Sequence, residues 1–224
     1  MRPLTRRSGG ARPAPHTIIV IAKAPAPGRS KTRLTPPCTP SEAAALAEAA
    51  LLDTLLIVGR SSARRRVLAL DGEIGNLLDH LCDFEVIRQR GDGLGDRLAA
   101  AFEDTGEPAV LVGMDTPQMS PLVLDRALDS LARRDAVIGD TLDGGFWAIG
   151  LAAPLTPAFD GVPMSSRVTA QAQRQRLTHL GLRCASLPVL RDVDYFEDAL
   201  AVANQAPESR FGSCLRSLRQ ECGS

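Results

Sequence analysis

The sequence predicts an α/β fold of three layers, α/β/α, built on a mostly parallel sheet. Three observations predict it. Short β-rich apolar runs alternate with helix-period segments along almost the whole chain, the pattern of crossover units in a parallel sheet. Several of those runs end in a charged or glycine-rich loop, where an open α/β sheet collects its ligands. The 224 residues, 44% hydrophobic, are enough for one substantial core and suit one domain better than two.

The start, MRPLTRRSGGARPAPH, is basic and rich in Pro and Gly. The apolar run behind it is interrupted by Lys23 and is too short for a signal h-region. Residues 1–16 therefore read as a disordered basic leader, 17–206 as one domain and 207–224 as a loosely attached tail helix.

Within the domain, Thr17 to Ala22 (TIIVIA) is the first strand. Thr39-Pro40-Ser41-Glu42 has the form of a capping box, opening a helix to about Val58 with Leu51, Leu55 and Val58 on one face. Val67 to Leu70 is the second strand, Glu73 to Leu81 a short helix and Phe84 to Gln89 the third strand. RGDGLGDRL (90–98) turns through three glycines into a helix over Leu94 to Glu103. Ala109 to Gly113 is a strand, Ser120-Pro121 starts a helix to about Arg134, and Ala136 to Gly139 is another strand. Gly144-Gly145 precedes Phe146 to Leu151, which reads as a strand packed across the sheet. A helix over Ser165 to His179 closes on Gly181 at C′. Arg183 to Val189 is the last strand, and Tyr195 to Ala203 is a helix with Glu197 and Asp198 at its favourable N-terminal end.

Composition narrows the function. Lys+Arg and Asp+Glu are equal at 26 each, so no global field draws nucleic acid or an anionic membrane. No run of about 18 apolar residues offers a membrane span. The five cysteines are scattered without a CxxC pair, which fits free thiols in a reducing compartment and a cytoplasmic location.

The chemistry gathers first in KAPAPGRSKTRL (23–34), directly after the first strand. Lys23, Arg29, Lys31 and Arg33 place four cations in eleven residues. Pro25, Pro27 and Gly28 keep the segment out of helix or strand, leaving backbone amides to meet an anion beside the cationic side chains. The stretch reads as a polyphosphate cradle. It is not a Walker A loop, since Pro25 and Ser30 stand where GxxxxGK[ST] needs glycines. Aspartates follow at strand ends. Asp115 and Asp194 supply two hard oxygen ligands of the kind Mg²⁺ takes, with Asp192, Asp140 and Asp143 in reserve. Helix caps and turn formers are the plainer reading of any one of them, but a metal–phosphate site needs both signs of charge.

KAPAPGRSKTRL, GDGLGDRL, GMDTPQ, DGGFWAIGL and LRDVD occur in that order. On these motifs the chain resembles the bacterial GT-A-type family of glycosyltransferase-like, nucleotidyltransferase-like proteins of unknown function. More distantly it is similar to 2-phospholactate guanylyltransferases and molybdenum-cofactor guanylyltransferases. The resemblance implies a nucleotide-diphospho-sugar-transferase (GT-A) fold with Mg²⁺, or Mn²⁺, on Asp115 and Asp194. The chain departs from the family pattern at Tyr195-Phe196, in place of Thr-Pro, and at Met164-Ser165-Ser166, in place of a WST segment. Both departures fall on the acceptor half.

The resulting expectation is a Mg²⁺-dependent transferase that moves a nucleotidyl group from a nucleoside triphosphate to a small phosphorylated or hydroxyl acceptor. Lys31, Arg33, Asp115 and Asp194 would carry catalysis. Lys23, Ala24, Pro25, Gly28, Lys31 and the stretch Gly93, Leu94, Gly95 and Asp96 would bind nucleotide. Asp115, Asp194 and Asp192 would hold the metal, and Asp143, Gly144, Gly145 and Ser165 would face the acceptor. Glycosyl transfer from a sugar nucleotide is the alternative, and a non-catalytic nucleotide-binding module the second. The base, the acceptor and the oligomeric state, a homodimer included, are open at this point.

Overall fold

The computed structural model describes residues 16–221. Seven strands, β1 (Thr17–Lys23), β2 (Arg65–Asp71), β3 (Glu85–Arg88), β4 (Ala109–Val112), β5 (Ala136–Asp140), β6 (Phe146–Leu151) and β7 (Cys184–Ser186), form one sheet in the order β3-β2-β1-β4-β6-β5-β7. All neighbours are parallel except β6, which runs antiparallel between β4 and β5. The helices are α1 (Pro40–Gly59), α2 (Leu94–Thr105), α3 (Pro121–Arg133), α4 (Thr169–His179), α5 (Phe196–Gln205) and α6 (Arg210–Glu221).

The alternation of β1 explains the layering. Ile18, Val20 and Ala22 face a core with Leu51, Leu55 and Val58 of α1 and Leu124 and Leu131 of α3. Ile19 and Ile21 face a second core with Leu98 and Phe102 of α2 and Leu177 of α4. A strand with period-two side chains and apolar residues on both faces can be satisfied only by helices above and below. The α/β class with a mostly parallel, three-layer sheet is therefore as the sequence predicts.

The capping box of α1 is present in full. The Thr39 hydroxyl accepts from the Glu42 amide at 3.3 Å, and Glu42 accepts from the Thr39 amide at 2.6 Å. At the end of α4, Gly181 and Leu182 donate their amides to the carbonyls of Thr178 and Leu177, the paired closure that places Gly181 at C′.

Four expectations are corrected. β6 is not packed across the sheet but inserted in it, because the β5–β6 hairpin returns the chain to pair with β4. α4 begins at Thr169 rather than Ser165: Ser165 takes a left-handed φ of 55°, which a helix does not admit. The segment after Glu73 is a 3-10 turn, Gly75–His80. The tail is packed rather than loose. Phe211 and Leu215 of α6 are 1% and 2% exposed, in a third apolar cluster with Leu34, Leu46, Val193, Ala199 and Val202. α1 is thus buried on two sides, by the sheet and by α5 and α6, which accounts for buried residues all round it. Asp53, 4% exposed on α1, accepts from the first two amides of α6, those of Arg210 and Phe211, at 3.0 and 2.9 Å.

Most of the expected leader lies outside the described residues, as do the last residues of the tail and Cys222. Cys82, Cys184 and Cys214 are free thiols. No helix of the described residues is long and apolar enough to cross a membrane.

Because α6 fills a core, Phe211→Ala should cost about 3–5 kcal/mol of folding stability. Chemical denaturation of the variant checks this, and a loss well under about 1 kcal/mol would mean a peripheral tail.

Candidate functional site

β1 delivers the chain to the C-terminal edge of the sheet at Lys23. The loop beyond it folds on itself: the Ala24 amide donates to the Asp71 carbonyl at 2.8 Å, the Arg29 and Ser30 amides to the Ala26 carbonyl, and the Ala26 amide to the Ser30 hydroxyl. These four amides are engaged within the fold, so they are not among those the loop could offer to an anion. Lys31 has a left-handed φ of 49° and precedes the 3-10 turn Thr32–Leu34. Leu34 is fully buried in the third apolar cluster, which pins the loop from below.

The Lys31 side chain, 10% exposed, turns inward. Its ammonium lies 2.9 Å from Asp115 Oδ1 and 3.7 Å from Asp194 Oδ1, and it donates to the Val193 carbonyl. Arg33 Nη1 meets Asp194 Oδ2 at 2.6 Å, and its guanidinium stands 5.8 Å from the centre of the Tyr195 ring, within cation–π reach.

Distant segments meet here through backbone bonds. Asp115 follows the end of β4, and its carbonyl accepts from the Val193 amide at 3.0 Å. Gln118 Nε2 donates to the Arg191 carbonyl at 2.5 Å and Trp147 Nε1 to the Pro188 carbonyl at 2.9 Å. Residues 187–194 are thereby laid along the sheet edge from β5 to β4.

On the other side of Asp194 three carboxylates converge. One oxygen each from Asp143, Asp192 and Asp194 lies within 4.8 Å of the others. Asp143 is fixed at the hairpin tip, where its Oδ1 accepts from the Thr141 hydroxyl and from the Gly145 amide at 2.9 Å. Gly144 has a φ of +94°, and a Cβ there would lie 2.0 Å from the Arg167 carbonyl oxygen, so only glycine lets the hairpin meet the loop before α4. Burial pushes the Asp192 carboxyl up to about 6, and the charges of Asp143 and Asp194 push in the same direction. Crowded anions without full compensation, all presenting oxygen, fit a hard divalent cation such as Mg²⁺ or Mn²⁺. The geometry regroups the sequence assignments: Asp143, expected on the acceptor side, stands with Asp192 and Asp194, whereas Asp115 stands across Lys31 from them.

A cavity of about 680 Å³ is lined by Lys23, Lys31, Arg33, Asp115, Ser165 and Asp194, among others. A second, of about 470 Å³, shares Lys23, Met114 and Asp115 with it and extends past Asp71, Gln89 and Arg97. Arg97 pairs with Asp71 at 2.8 Å, and Gln89 Nε2 bridges the Ala22 and Ala69 carbonyls at 2.7 and 2.9 Å. Sequence reasoning missed these three residues. Asp71 carries the signal that singled out Asp115, a polar residue at the C-terminal end of a buried strand, and Gln89 stands likewise after the edge strand β3.

Of the expected nucleoside border, Leu94 lines this second cavity. Gly93, Gly95 and Asp96 line a separate pocket with Phe159 and Met164. Asp96 accepts from the Gly93 amide at 3.0 Å and so caps α2, and a Cβ on Gly91, whose φ is +118°, would meet Asp96 Cβ at 2.5 Å. Turn and cap chemistry thus accounts for Gly91 and Asp96, whereas Gly93 and Gly95 have room for a Cβ. Ala24, Pro25 and Gly28 shape the loop and line neither cavity.

This fold recurs in solved structures. A Desulfovibrio desulfuricans G20 protein, provisionally named a nucleotide-diphospho-sugar transferase, is 26% identical over 90% of this chain and 94% of its own, with a TM-score of 0.80. Rv0371c from Mycobacterium tuberculosis H37Rv, solved with manganese, is 20% identical over 85% of this chain and 98% of its own, at a TM-score of 0.50. The CMP:2-keto-3-deoxy-manno-octonic acid synthetase solved with CTP is 13% identical over 86% of this chain and 98% of its own, at a TM-score of 0.52. The α/β architecture is thus that of the nucleotide-diphospho-sugar transferases. The model of the family described as "Uncharacterized protein conserved in bacteria (DUF2064)" matches residues 54–166, just over half the chain, and the protein belongs to that family. No curated protein matches it in sequence.

The raised Asp192 carboxyl makes stability depend on pH. It binds its proton more tightly in the folded chain, at about 6 against an ordinary 3.8. Its contribution therefore favours folding at low pH, is fully present below about pH 4, and is lost as pH rises through about 6. Asp192→Asn should raise Tm at about pH 8 and leave it nearly unchanged at about pH 4. Melting curves at both values check this, and an equal shift at both would assign the effect to packing.

Proposed function

We propose that the chain is a divalent-cation-dependent transferase acting on a nucleotide, and that it transfers a nucleotidyl group. An acceptor oxygen forms a bond to the α-phosphorus of a nucleoside triphosphate as the bond to the β-phosphate oxygen breaks and pyrophosphate leaves. The observation that carries this reading is the meeting of Lys31 and Arg33 with Asp115 and Asp194 in one cavity at the C-terminal edge of the sheet.

Lys31 and Arg33 would offset charge on the β- and γ-phosphates, and Lys23, which lines both cavities, would orient the α-phosphate. Asp194 and Asp115, with Asp192 and Asp143 beside Asp194, would hold the cation, which when bound supplies charge neutralisation at the phosphoryl oxygens. The second cavity, past Asp71, Gln89 and Arg97, is the place for the nucleoside. Ser165 and the Asp143–Gly145 hairpin tip would border a small phosphorylated or hydroxyl acceptor.

Support comes from neighbours of the same fold solved with manganese and with CTP. Glycosyl transfer from a sugar nucleotide is the second reading, favoured by the provisional name of the neighbour that is 26% identical. Against it, Asp115 is followed by Thr116-Pro117 rather than by the Asp-x-Asp pair usual at a GT-A glycosyltransferase metal strand.

A thermal-shift panel of nucleoside triphosphates and sugar nucleotides, with and without Mg²⁺, separates these readings. A ligand at about 100 times its dissociation constant stabilises the fold by about 2.7 kcal/mol. Stabilisation by a triphosphate with Mg²⁺, followed by pyrophosphate release with an acceptor, is the expected result. A response to sugar nucleotides alone would favour glycosyl transfer, and binding with no turnover for any acceptor would leave a nucleotide-binding module. Once an acceptor is known, Asp194→Asn should keep most nucleotide affinity and lower turnover by roughly 10²–10³, the usual effect of losing one charge-stabilising group at a reacting centre.

A further inference from the structure

The groups that face one another in the larger cavity are already paired: the Lys31 ammonium with Asp115 and Asp194, and the Arg33 guanidinium with Asp194. A polyphosphate needs those cations turned toward itself. A divalent cation held between Asp115 and Asp194, rather than only among Asp143, Asp192 and Asp194, needs those two carboxylates without an ammonium between them. One arrangement of side chains cannot serve both the unliganded chain and the loaded site.

The choice of residue bears on how the conflict is resolved. Of 26 Lys and Arg residues, only two are lysines, Lys23 and Lys31, and both lie in this loop. Arginine, with its rigid planar fork, holds the exposed ion pairs elsewhere, such as Arg65 with Glu85 and Arg90 with Asp104. Lysine is a compact charge on a flexible four-carbon stem, able to swing between partners. The two carboxylates it bridges are 42% and 30% exposed, while Asp115 Oδ1 itself is covered where it meets the ammonium.

Resting on the metal–phosphate reading above, we propose that Lys31 is an exchangeable internal counter-ion. Its ammonium neutralises Asp115 and Asp194 in the unliganded chain, yields that place to a divalent cation, and turns to the phosphates. Cation and polyphosphate then bind cooperatively, each releasing the group the other needs, and the coupling is reciprocal.

Lys31→Met tests this by separating two effects that a merely structural lysine would move together. Mn²⁺ binding to the nucleotide-free protein, measured by electron paramagnetic resonance, should tighten by about tenfold, because the competitor for the carboxylates is gone. Pyrophosphate binding in the presence of EDTA, measured by calorimetry, should weaken by about tenfold. The wild-type chain offers an independent measurement. Brief acetylation followed by mass spectrometry should modify Lys31 slowly in the metal-free protein and faster with Mn²⁺, with Lys23 as internal reference. That measurement decides the matter if the variant fails to fold. Mn²⁺ binding that is equal in both proteins, with Lys31 acetylation unchanged by metal, overturns the exchange and leaves the metal site standing. No Mn²⁺ binding in either protein overturns both.

Discussion

The Lys31 ammonium is the interaction on which the site depends. It is nearly withdrawn from water, and it touches the Val193 carbonyl and two carboxylates carried by segments far apart in sequence. A charge so placed needs opposite charge beside it, because losing every such partner leaves an uncompensated group in a poorly solvated setting. The ammonium thus reports that β1, the end of β4 and the segment before α5 have come to their final places.

What holds those places is apolar. Leu34, just after the cationic loop, and Val193, just before Asp194, are both fully buried in the cluster that α1, α5 and α6 share. One patch of core therefore sets the distance between the cations and the carboxylates. α6 closes that patch, and the buried Asp53 satisfies the first amides of α6 as a helix start requires. The C-terminal helix has no residue in either cavity, yet the geometry of the site passes through it.

The carboxylates around Asp194 obey the opposite constraint. Asp143 and Asp192 come close to Asp194 because the β5–β6 hairpin and the segment after β7 are joined by the Leu142 amide to the Leu190 carbonyl and the Leu190 amide to the Asp140 carbonyl. The backbone sets their separation, and burial together with repulsion between them raises the Asp192 carboxyl. Asp194 faces this anionic group on one side and Lys31 and Arg33 on the other, so a cation arriving near it meets attraction and competition together.

The sequence by itself determined the class of fold, the helix caps and the two charged stretches. These rest on local rules: period-two apolar runs need covering on both faces, Thr39 and Glu42 satisfy each other's amides, and Gly181 closes a helix. It also placed Lys31, Arg33, Asp115 and Asp194 in one site, because residues at the C-terminal ends of parallel strands share an edge. Tertiary structure alone decided the rest. That β6 inserts antiparallel, that the tail is a core helix, that Asp143 joins Asp192 and Asp194 while Asp115 does not, and that Asp71, Gln89 and Arg97 extend the crevice all depend on strand order and long-range pairing. No local pattern encodes which strand ends lie side by side. The same holds for GDGLGD, where Gly91 and Asp96 are required by the turn and cap that start α2.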